Sequence, residues 1–485
     1  MKRTTQRIIA IVAIAAIAIG TGVGVFVYLQ LGGAESRWIT PGVSGIPSDQ
    51  WIKVGAIGDR GTMQGDENYN GAYMAAKEIN EAGGVEVDNK TYYVALISED
   101  TDEAAADPAY EKGLSAANKL ISVDKAEYIV GGFRTEAVNV YIEPIMDAKK
   151  MFFITGASTD SLCENLVGSG YLRYKYLFRV MPINSTSLGG QVINFLGFIT
   201  TYINGSTAWD GETIDKAAII REDIDFSVPM KNALDDYLPI LSYIDPSFTQ
   251  DLEIVGDWAY PLSAGPDEIA GYMEEIKQAD ADVIIPIISA RGSDFMMESY
   301  VDKNVPAIVV GIDVPSQYYR MWDETNGDCK YETLSVPLTN TSKTSKSKAY
   351  YNGYIDEFEH VPLYTATGAY ESVKILVNVI NETQSFNNTK LIDKLESYDY
   401  SAGTAYEGAS AHYEWNQHHD LVEGWPTGAS LFAQWRDIDD DGNGEKVCVP
   451  CPGLYPSGYG VIPGDITEAT YALPSWVSTA WKSPL

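Results

Sequence analysis

The sequence predicts an α/β protein of two lobes, each built on a doubly wound parallel sheet, with one transmembrane helix ahead of them. Three features lead to this prediction. Short β-rich runs alternate with helical stretches over residues 51–154, and a second alternating series follows from about residue 178. Residues 8–31 carry no charge, and a helix of 24 residues exceeds a ~30 Å hydrocarbon core.

The N-terminal stretch determines the predicted location of the chain. Lys2, Arg3 and Arg7 precede it, which predicts a cytoplasmic tip and an extracellular position for the bulk of the chain. A cleavable signal peptide has an apolar region of roughly 7–15 residues, so a retained signal anchor in the cell membrane is the preferred interpretation. Cleavage after residues 32–34 is the alternative. No cysteine precedes Cys163, so no lipid-modified cysteine follows the stretch.

The composition excludes several classes of protein. The 485 residues are 45% hydrophobic and 21% charged, which is enough to form one or two substantial cores. Lys and Arg number 34 against 67 Asp and Glu, and the net charge of -33 argues against a nucleic-acid partner. Four cysteines and four histidines are too few for a disulfide-dense scaffold or a zinc ribbon.

The first alternating series predicts a parallel sheet with right-handed crossovers. An apolar run at 52–57 ends at Gly58, and residues 70–81 show helical spacing before Gly83 and Gly84 end the helix. The series continues with strands at 92–97, 127–130 and 151–154 and helices at 108–121 and 135–148.

The second series predicts another lobe of similar size. It contains helices at 188–202, 228–238, 266–278 and 295–302 and strands at 217–220, 252–255, 283–288 and 307–310. The Ser- and Lys-rich residues 340–348 are typical of a solvated loop. Three more helices are expected at 349–359, 368–381 and 389–396, followed by short strands and an irregular tail.

The order of these motifs resembles the type 1 periplasmic binding proteins, the Leu/Ile/Val-binding type that supply ABC importers. In lobe 1 the resemblance rests on VGAIGDRGTMQGDENYNGAYMAAKEINEAGG at 54–84 and EYIVGGFRTEAVNVYIEPIMDAKKMFFITGAST at 127–159. It continues through KAAIIREDIDFSVPMKNAL at 216–234, DVIIPIISARGSDFMMESYVDKNVPAIVVGID at 282–313 and TATGAYESVKILV at 365–377. No single tripeptide is diagnostic, but the ordered series covers roughly residues 50–440.

The resemblance implies two Rossmann-like lobes that are joined by three crossovers and close on a small ligand. It places lobe 1 at 50–180 and 340–400, and lobe 2 at 181–339 and about 401–450, with a linker at 32–49 and a tail at 451–485. The implied function is the extracellular solute-binding component of an ABC importer, which passes an amino acid or similar small polar solute to a membrane permease. No catalysis is expected. A ligand-sensing ectodomain of a receptor complex is the alternative, and a surface hydrolase has no spaced motif to support it.

Two loops of lobe 1 carry the candidate carboxylate site. In open α/β sheets ligands bind beyond the carboxyl ends of the strands, where helix N-termini favour anions. The resemblance implies that the hydroxyls of Thr135 and Thr159 and the backbone at Ala157, next to Ser158, hold a ligand carboxylate; helix capping is the alternative for the hydroxyls. Arg134 has no counterpart in the branched-chain pattern, and it either clamps a carboxylate or faces solvent paired with Glu136.

Lobe 2 carries the candidate partner for an ammonium group. Asp313 matches the acidic residue that pairs with the ligand α-amino group in the family. The alternative is that Asp313 is an exposed carboxylate in a turn. Phe226 matches an aromatic residue that covers the ligand in the family. The alternative is that it packs under the following helix. Gln64 and Ser289, with Ala290 and Arg291, stand where the family has aromatic lining. We therefore expect a polar or acidic amino acid, or a related amide, in preference to leucine, isoleucine or valine.

Two candidate metal sites lie late in the chain. Asp437, Asp439, Asp441 and Asn443 follow the D-x-D-x-D-G spacing of a calcium loop, but the twelfth position is Cys448 and not Glu. An acidic hairpin turn is therefore the alternative. A zinc site at His412, His418, His419 and Asp420 is disfavoured, because their spacing matches no standard site.

Cysteine and asparagine motifs are the remaining features. Cys448 and Cys451 form a C-x-x-C motif, for which a structural disulfide, or pairing with Cys163 and Cys329, is favoured over redox chemistry. Acceptor tripeptides for glycosylation, which also arise by chance, occur at Asn89, Asn184, Asn204, Asn340, Asn381 and Asn387.

Overall fold

Two sheets, one in each lobe, organise the chain. The computed structural model describes residues 37–106, 108–205, 213–449 and 471–482. The strands are β1 (Trp51–Gly58), β2 (Val85–Val87), β3 (Lys90–Asp100), β4 (Tyr128–Gly131), β5 (Met151–Ile154), β6 (Leu177–Arg179), β7 (Lys216–Glu222), β8 (Glu253–Tyr260), β9 (Val283–Ile288), β10 (Ile308–Asp313), β11 (Thr333–Val336), β12 (Tyr406–Glu407), β13 (His412–Tyr413), β14 (Leu431–Arg436) and β15 (Glu445–Cys448).

The helices cover both sheets. They are α1 (Met63–Glu81), α2 (Tyr110–Ser122), α3 (Thr135–Asp147), α4 (Leu166–Tyr174), α5 (Ser185–Asn204), α6 (Ser227–Tyr237), α7 (Leu241–Ile244), α8 (Pro266–Gln278), α9 (Ser293–Asp302), α10 (Val314–Gln317), α11 (Met321–Glu324), α12 (Ser347–Phe358), α13 (Tyr364–Thr383), α14 (Asn388–Leu395) and α15 (Ser475–Lys482). Helices α1 to α4 and α12 to α14 belong to lobe 1, and the others belong to lobe 2.

Both sheets have the doubly wound arrangement that the sequence predicts. The sheet of lobe 1 has the order β2-β3-β1-β4-β5-β6, with all neighbours parallel except β2 and β3. The sheet of lobe 2 has the order β15-β14-β11-β10-β9-β7-β8, in which β14 is antiparallel to both of its neighbours. Helices cover both faces of a parallel sheet, so its central strands are continuous apolar runs, and every residue of β9 is buried.

Most predicted elements are confirmed, with ends that differ by a few residues. The largest difference is α1, which begins at residue 63 and not 70, because the polar residues of its first turns conceal the apolar periodicity. Strands β6 and β11 and helix α4 were not predicted. Each strand has only three or four residues, too few to establish a pattern.

The lobe boundaries differ from the prediction at three places. Residues 37–49, expected within a linker, pack on lobe 1, where Trp38 lies in the core. Residues 401–421, expected in lobe 2, also belong to lobe 1, because Trp415 lies in the same core. In the expected C-terminal tail, α15 packs on lobe 2 through Val477 and Trp476.

The predicted solvated loop at 340–348 is only partly exposed, because this segment forms part of one of the three crossovers between the lobes. Lys343 is 3% exposed, and its ammonium group donates to the backbone oxygens of Pro337 and Ala429. Burial lowers the pKa of Lys343 to about 7. Hydrogen bonds to two carbonyl oxygens offset the cost of removing this group from water, which composition alone does not reveal.

A buried ion pair ties the other two crossovers together. The guanidinium of Arg179 donates to the Oδ2 atom of Asp420 at 2.8 Å, and the amide of Asn184 donates to the same oxygen at 3.0 Å. Arg179 also donates to the backbone oxygen of Thr159 at 2.6 Å. These contacts fix the two points at which the chain leaves lobe 1 for lobe 2.

The predicted membrane anchor at residues 8–31 lies outside the described residues. Within the part of the chain that the structure describes, no helix combines the length and the apolar character that crossing a bilayer requires.

Replacing Gly71 by Ala should separate α1 from α13. A Cβ atom at Gly71 would lie 1.9 Å from the backbone oxygen of Ala366, so the two helices must move apart. We expect Gly71→Ala to lower the free energy of unfolding by about 1–3 kcal/mol in a denaturant titration. Gly271→Ala in α8, where nothing lies within 4 Å, is the matched control and should be neutral or stabilising by up to about 1 kcal/mol. Equal denaturation midpoints for the two variants would contradict this account of the packing.

Candidate functional site

A cavity lies between the lobes, where the strands of both sheets end. About 600 Å³ of space, including the part open to solvent, lies between its lining atoms. Lobe 1 contributes Phe133, Arg134 and Thr135, and lobe 2 contributes Phe226 and Val314. This is the position in which open α/β sheets bind ligands, and side chains from both lobes complete it.

Contacts across the cleft hold the lobes in a closed arrangement. The Nε2 atom of Gln64 donates to the backbone oxygen of Ser289 at 3.0 Å. The Oε1 atom of Glu136 accepts from the backbone N–H of Asp225 at 2.9 Å. At one side of the cleft, the rings of His360 and Tyr319 stack with centroids 4.2 Å apart. A ligand in this cavity would therefore contact both lobes at once.

The structure brings only part of the predicted carboxylate site to the cavity. Thr135 and Ser158 line it, whereas Thr159 lies behind Thr135, and their hydroxyl oxygens are 2.6 Å apart. The backbone N–H of Ala157 already donates to the carbonyl oxygen of Gly132 at 2.9 Å. The predicted ligand contact at Ala157 is therefore wrong for this arrangement, because its N–H group is used within lobe 1.

A buried carboxylate holds the loop that carries Arg134. The Oε2 atom of Glu103 accepts from the backbone N–H groups of Phe133 at 3.3 Å and Arg134 at 3.0 Å. Its other oxygen accepts from the hydroxyl of Thr101. Burial raises the pKa of Glu103 to about 7. Sequence reasoning missed this residue, although it follows the strand β3 at the same edge of the sheet.

Arg134 is buried at the cavity wall and does not face solvent. It is 3% exposed, and none of its three guanidinium nitrogens has a hydrogen-bond partner among the described residues. The alternative of a solvent-exposed pair with Glu136 is therefore wrong. Burial raises the pKa of Glu222 in lobe 2, and the positive charge of Arg134 partly opposes this rise.

The predicted ammonium partner, Asp313, does not reach the cavity. It is fully buried in lobe 2, where its Oδ2 atom accepts from the hydroxyl of Ser293 at 2.6 Å and its Oδ1 atom accepts from the backbone N–H of Ser316 at 3.2 Å. Burial raises the pKa of Asp313 to about 6. Because successive residues of a strand face opposite sides, its neighbours Ile312 and Val314 line the cavity and Asp313 instead caps α10.

The remaining predicted residues of the cleft differ in position. Phe226 and Ser289 line the cavity as predicted, and the Ser289 hydroxyl donates to Glu222. Gln64 is buried in the contact between the lobes and is not part of the lining. Arg291 is exposed and is held through its backbone, because its N–H donates to Glu222 and its carbonyl oxygen accepts from the hydroxyl of Tyr260.

The lining is more apolar than the sequence analysis expects. Tyr364 at the start of α13 and Ile183 and Pro337 on the crossovers also line it, and none of them was predicted. No local motif identifies these residues, since only the return of the chain between the lobes brings them together. The polar character inferred from Gln64 therefore does not describe the cavity.

The acidic segment near residue 440 forms the turn between β14 and β15, as the hairpin alternative predicts. One oxygen from each of Asp437, Asp439 and Asp441 lies within 4.8 Å of the others. Asn443 donates to Asp441 through both its backbone N–H and its side-chain amide. The geometry is compatible with a cation but also with a solvated turn.

Other predicted sites are used structurally. Both ring nitrogens of His419 are hydrogen-bonded, to Leu177 and Glu396, so neither is available as a ligand for the disfavoured zinc site. Asn184 is 8% exposed and caps α5, so it is not an accessible glycosylation site, whereas Asn89, Asn340, Asn381 and Asn387 are exposed and Asn204 is half-buried. Cys163 and Cys329 are buried, and neither forms a disulfide with another described residue. Cys451 is not among the residues that the structure describes.

Comparisons with known proteins agree with this architecture. The model of the periplasmic binding protein family matches residues 52–425. A Leu/Ile/Val-binding protein homolog 7 of Brucella abortus (strain 2308) is 21% identical over 401 residues, which cover 81% of this chain and 90% of the relative.

Solved structures of substrate-binding proteins show the same fold. The branched-chain amino acid transporter substrate-binding protein LivJ from Streptococcus pneumoniae, in complex with isoleucine, superposes with a TM-score of 0.60 at 16% identity, covering 82% of this chain and 99% of that chain. A solute-binding protein of an ABC transporter from Rhodopseudomonas palustris, in complex with 3,4-dihydroxybenzoic acid, gives a TM-score of 0.62 at 17% identity, covering 82% of this chain and 96% of that chain. These relatives are binding proteins and not enzymes. The two-lobed fold, the cavity between the lobes and the match over residues 52–425 together show that this chain belongs to the periplasmic binding protein family.

Proposed function

We propose that this chain is the solute-binding component of an ABC importer, which closes on a small organic solute and delivers it to a membrane permease. The observation that carries the proposal is the cavity between the two lobes, to which both contribute side chains. Closure of such a cleft is driven by contacts that the ligand makes only when both lobes meet it. The permease is inferred from the family alone.

The proposed ligand carries a carboxylate. The hydroxyls of Thr135 and Ser158 and the guanidinium of Arg134 offer donors at the start of α3, where the helix N-terminus also favours an anion. Two related structures hold isoleucine and 3,4-dihydroxybenzoic acid, which share a carboxylate and little else. The expectation of a polar amino acid receives support from Ser289 in the lining but not from Asp313 or Gln64, which lie outside it.

An uptake experiment tests the proposed function. Cells of the native host that lack the gene should deplete one member of a defined mixture of amino acids and aromatic and aliphatic carboxylic acids more slowly than the parent. The wild-type gene and the exposed control Thr389→Ala should restore this uptake, whereas Thr135→Ala combined with Thr159→Ala should not, because the hydroxyl pair at the cavity is lost. Unchanged depletion of every solute would argue against transport and favour a sensory role.

We also propose that residues 8–31 form a signal anchor and that the lobes are extracellular. The support is the uncharged stretch itself and the basic residues before it. A tag placed after Leu485 should be cleaved by protease added to intact cells, and the protein should stay with membranes at high salt. Recovery of a soluble form that begins near Ala34 would instead establish cleavage.

We propose further that the turn between β14 and β15 binds calcium, on the basis of the three clustered carboxylates. Ion binding to the folded state alone raises the melting temperature as free calcium increases. We expect millimolar calcium to raise the melting temperature relative to chelator, and Asp441→Asn to reduce this shift. Asp440→Asn, outside the cluster, is the matched control. A thermal transition that does not respond to calcium would leave the segment as a simple hairpin turn.

A further inference from the structure

The guanidinium of Arg134 is a buried cation whose donors have no acceptor in the protein. Its side chain lines the cavity, and the Nε, Nη1 and Nη2 atoms have no hydrogen-bond partner among the described residues. The hydroxyl of Tyr110 lies close to this side chain. Burial raises the pKa of Tyr110, and both the charge of Arg134 and hydrogen bonding to it oppose this rise, but the pair does not reach the geometry of a full hydrogen bond. Leaving buried charged donors unpaired is costly, so an acceptor on the ligand would be stabilised here.

The carboxylates near Arg134 are engaged elsewhere, and that of Glu103 accepts from the backbone N–H of Arg134 and not from its guanidinium. Both oxygens of Glu222 accept hydrogen bonds from the segment that follows β9, including the backbone N–H groups of Ser289 and Arg291. Glu136 binds the N–H of Asp225 at the exposed mouth of the cleft. Neither forms a salt bridge with Arg134, and the planar fork of a guanidinium matches the two oxygens of a ligand carboxylate.

The rest of the cavity suits an uncharged and mainly apolar ligand body, although Gln317, Ser335 and Ser430 add uncharged polar groups to the lining. Phe133, Phe226 and Tyr364 present aromatic rings, and Ile312 and Val314 present aliphatic side chains. Among the described lining residues, the single acidic side chain is Glu136, at the mouth. An α-ammonium group held beside Arg134 would therefore lose its hydration without gaining a carboxylate partner, which is unfavourable.

We propose that Arg134 selects monocarboxylates with an apolar body, and that an α-ammonium group weakens binding. This inference rests on the proposed solute-binding function and specifies its class of ligand. Arg134 acts as the specificity-determining residue, with Thr135 and Ser158 as additional donors. With Arg134 in this position, the site favours aliphatic or aromatic acids that have no amino group over amino acids.

Calorimetry on the detergent-solubilised full-length chain tests the proposal with matched pairs of probes. One pair is 4-methylpentanoate and L-leucine, and the other is 3-phenylpropanoate and L-phenylalanine. The members of each pair differ only by the ammonium group. We expect at least one of the acids to bind about 10-fold or more tightly than its amino acid, and 3-phenylpropanamide to bind more weakly than 3-phenylpropanoate, because an amide lacks the charge and the second oxygen.

Variants at Arg134 provide the second readout. Arg134→Gln should weaken binding of the preferred acid by about 10-fold or more, and Arg134→Lys should have an intermediate effect, since it keeps the charge but not the fork. Arg173→Gln, an exposed arginine on α4, is the matched control and should bind like the wild type. If Arg134→Gln does not fold, the paired ligands on the wild-type chain still decide the question.

Tighter binding of the amino acids, or undiminished acid binding by a folded Arg134→Gln, would overturn the proposal while the solute-binding function stands. Failure of every acid, amide and amino acid to bind at millimolar concentration would also overturn it. In that case the uptake experiment judges the proposed function separately, because it does not depend on the identity of the solute.

Discussion

The cleft depends on buried carboxylates that accept backbone N–H groups. In lobe 1 Glu103 holds the loop at Phe133 and Arg134, and in lobe 2 Glu222 holds the segment from Ser289 to Arg291. Both side chains are fully buried, and a buried carboxylate is tolerated only when hydrogen bonds replace its hydration. Hydrogen bonds to a charged acceptor are stronger than neutral ones, so each loop is fixed to its own lobe. The ligand-facing groups therefore move with the lobes as units when the cleft opens or closes.

The crossovers between the lobes are fixed by a second set of buried charges. Asp420 binds both Arg179 and Asn184, and Lys343 binds carbonyl oxygens on two crossover segments. Contacts that connect the lobes across the cleft do not pair opposite charges: the hydrogen bond between Gln64 and Ser289 is buried but uncharged, and the one between Glu136 and Asp225 is exposed. This distribution places the stronger interactions at the hinge and the weaker ones at the mouth, which is the arrangement that a hinged, ligand-dependent closure requires.

Periodicity and motif order predict the fold of this chain well, but they predict its site only in part. Phe226 and Thr135 could be predicted because each follows a strand that the apolar pattern identifies and matches a ligand-contacting position of the family that the sequence resembles. Asp313 also follows the pattern, yet its side chain turns into lobe 2, because a one-residue change of position along a strand reverses the direction of a side chain. Ile183, Pro337 and Tyr364 could not be predicted, since their meeting depends on the path of the crossovers. Within residues 340–348, Lys343 and Thr344 are buried despite the polar composition of the segment, because local hydrogen bonds satisfy their polar groups.

The acidic surface and the buried Arg134 act on an anionic ligand over different distances. A net charge of -33 repels an approaching carboxylate, but at physiological ionic strength exposed charges are screened within about 8 Å. The long-range field therefore mainly reduces the rate of association. Arg134 is 3% exposed, so in the proposed complex the direct contact of its guanidinium with a ligand carboxylate is much stronger per charge than the interaction between exposed charges. Affinity is then determined by the few groups that touch the ligand, and overall composition is a poor guide to the charge of the solute that such a protein binds.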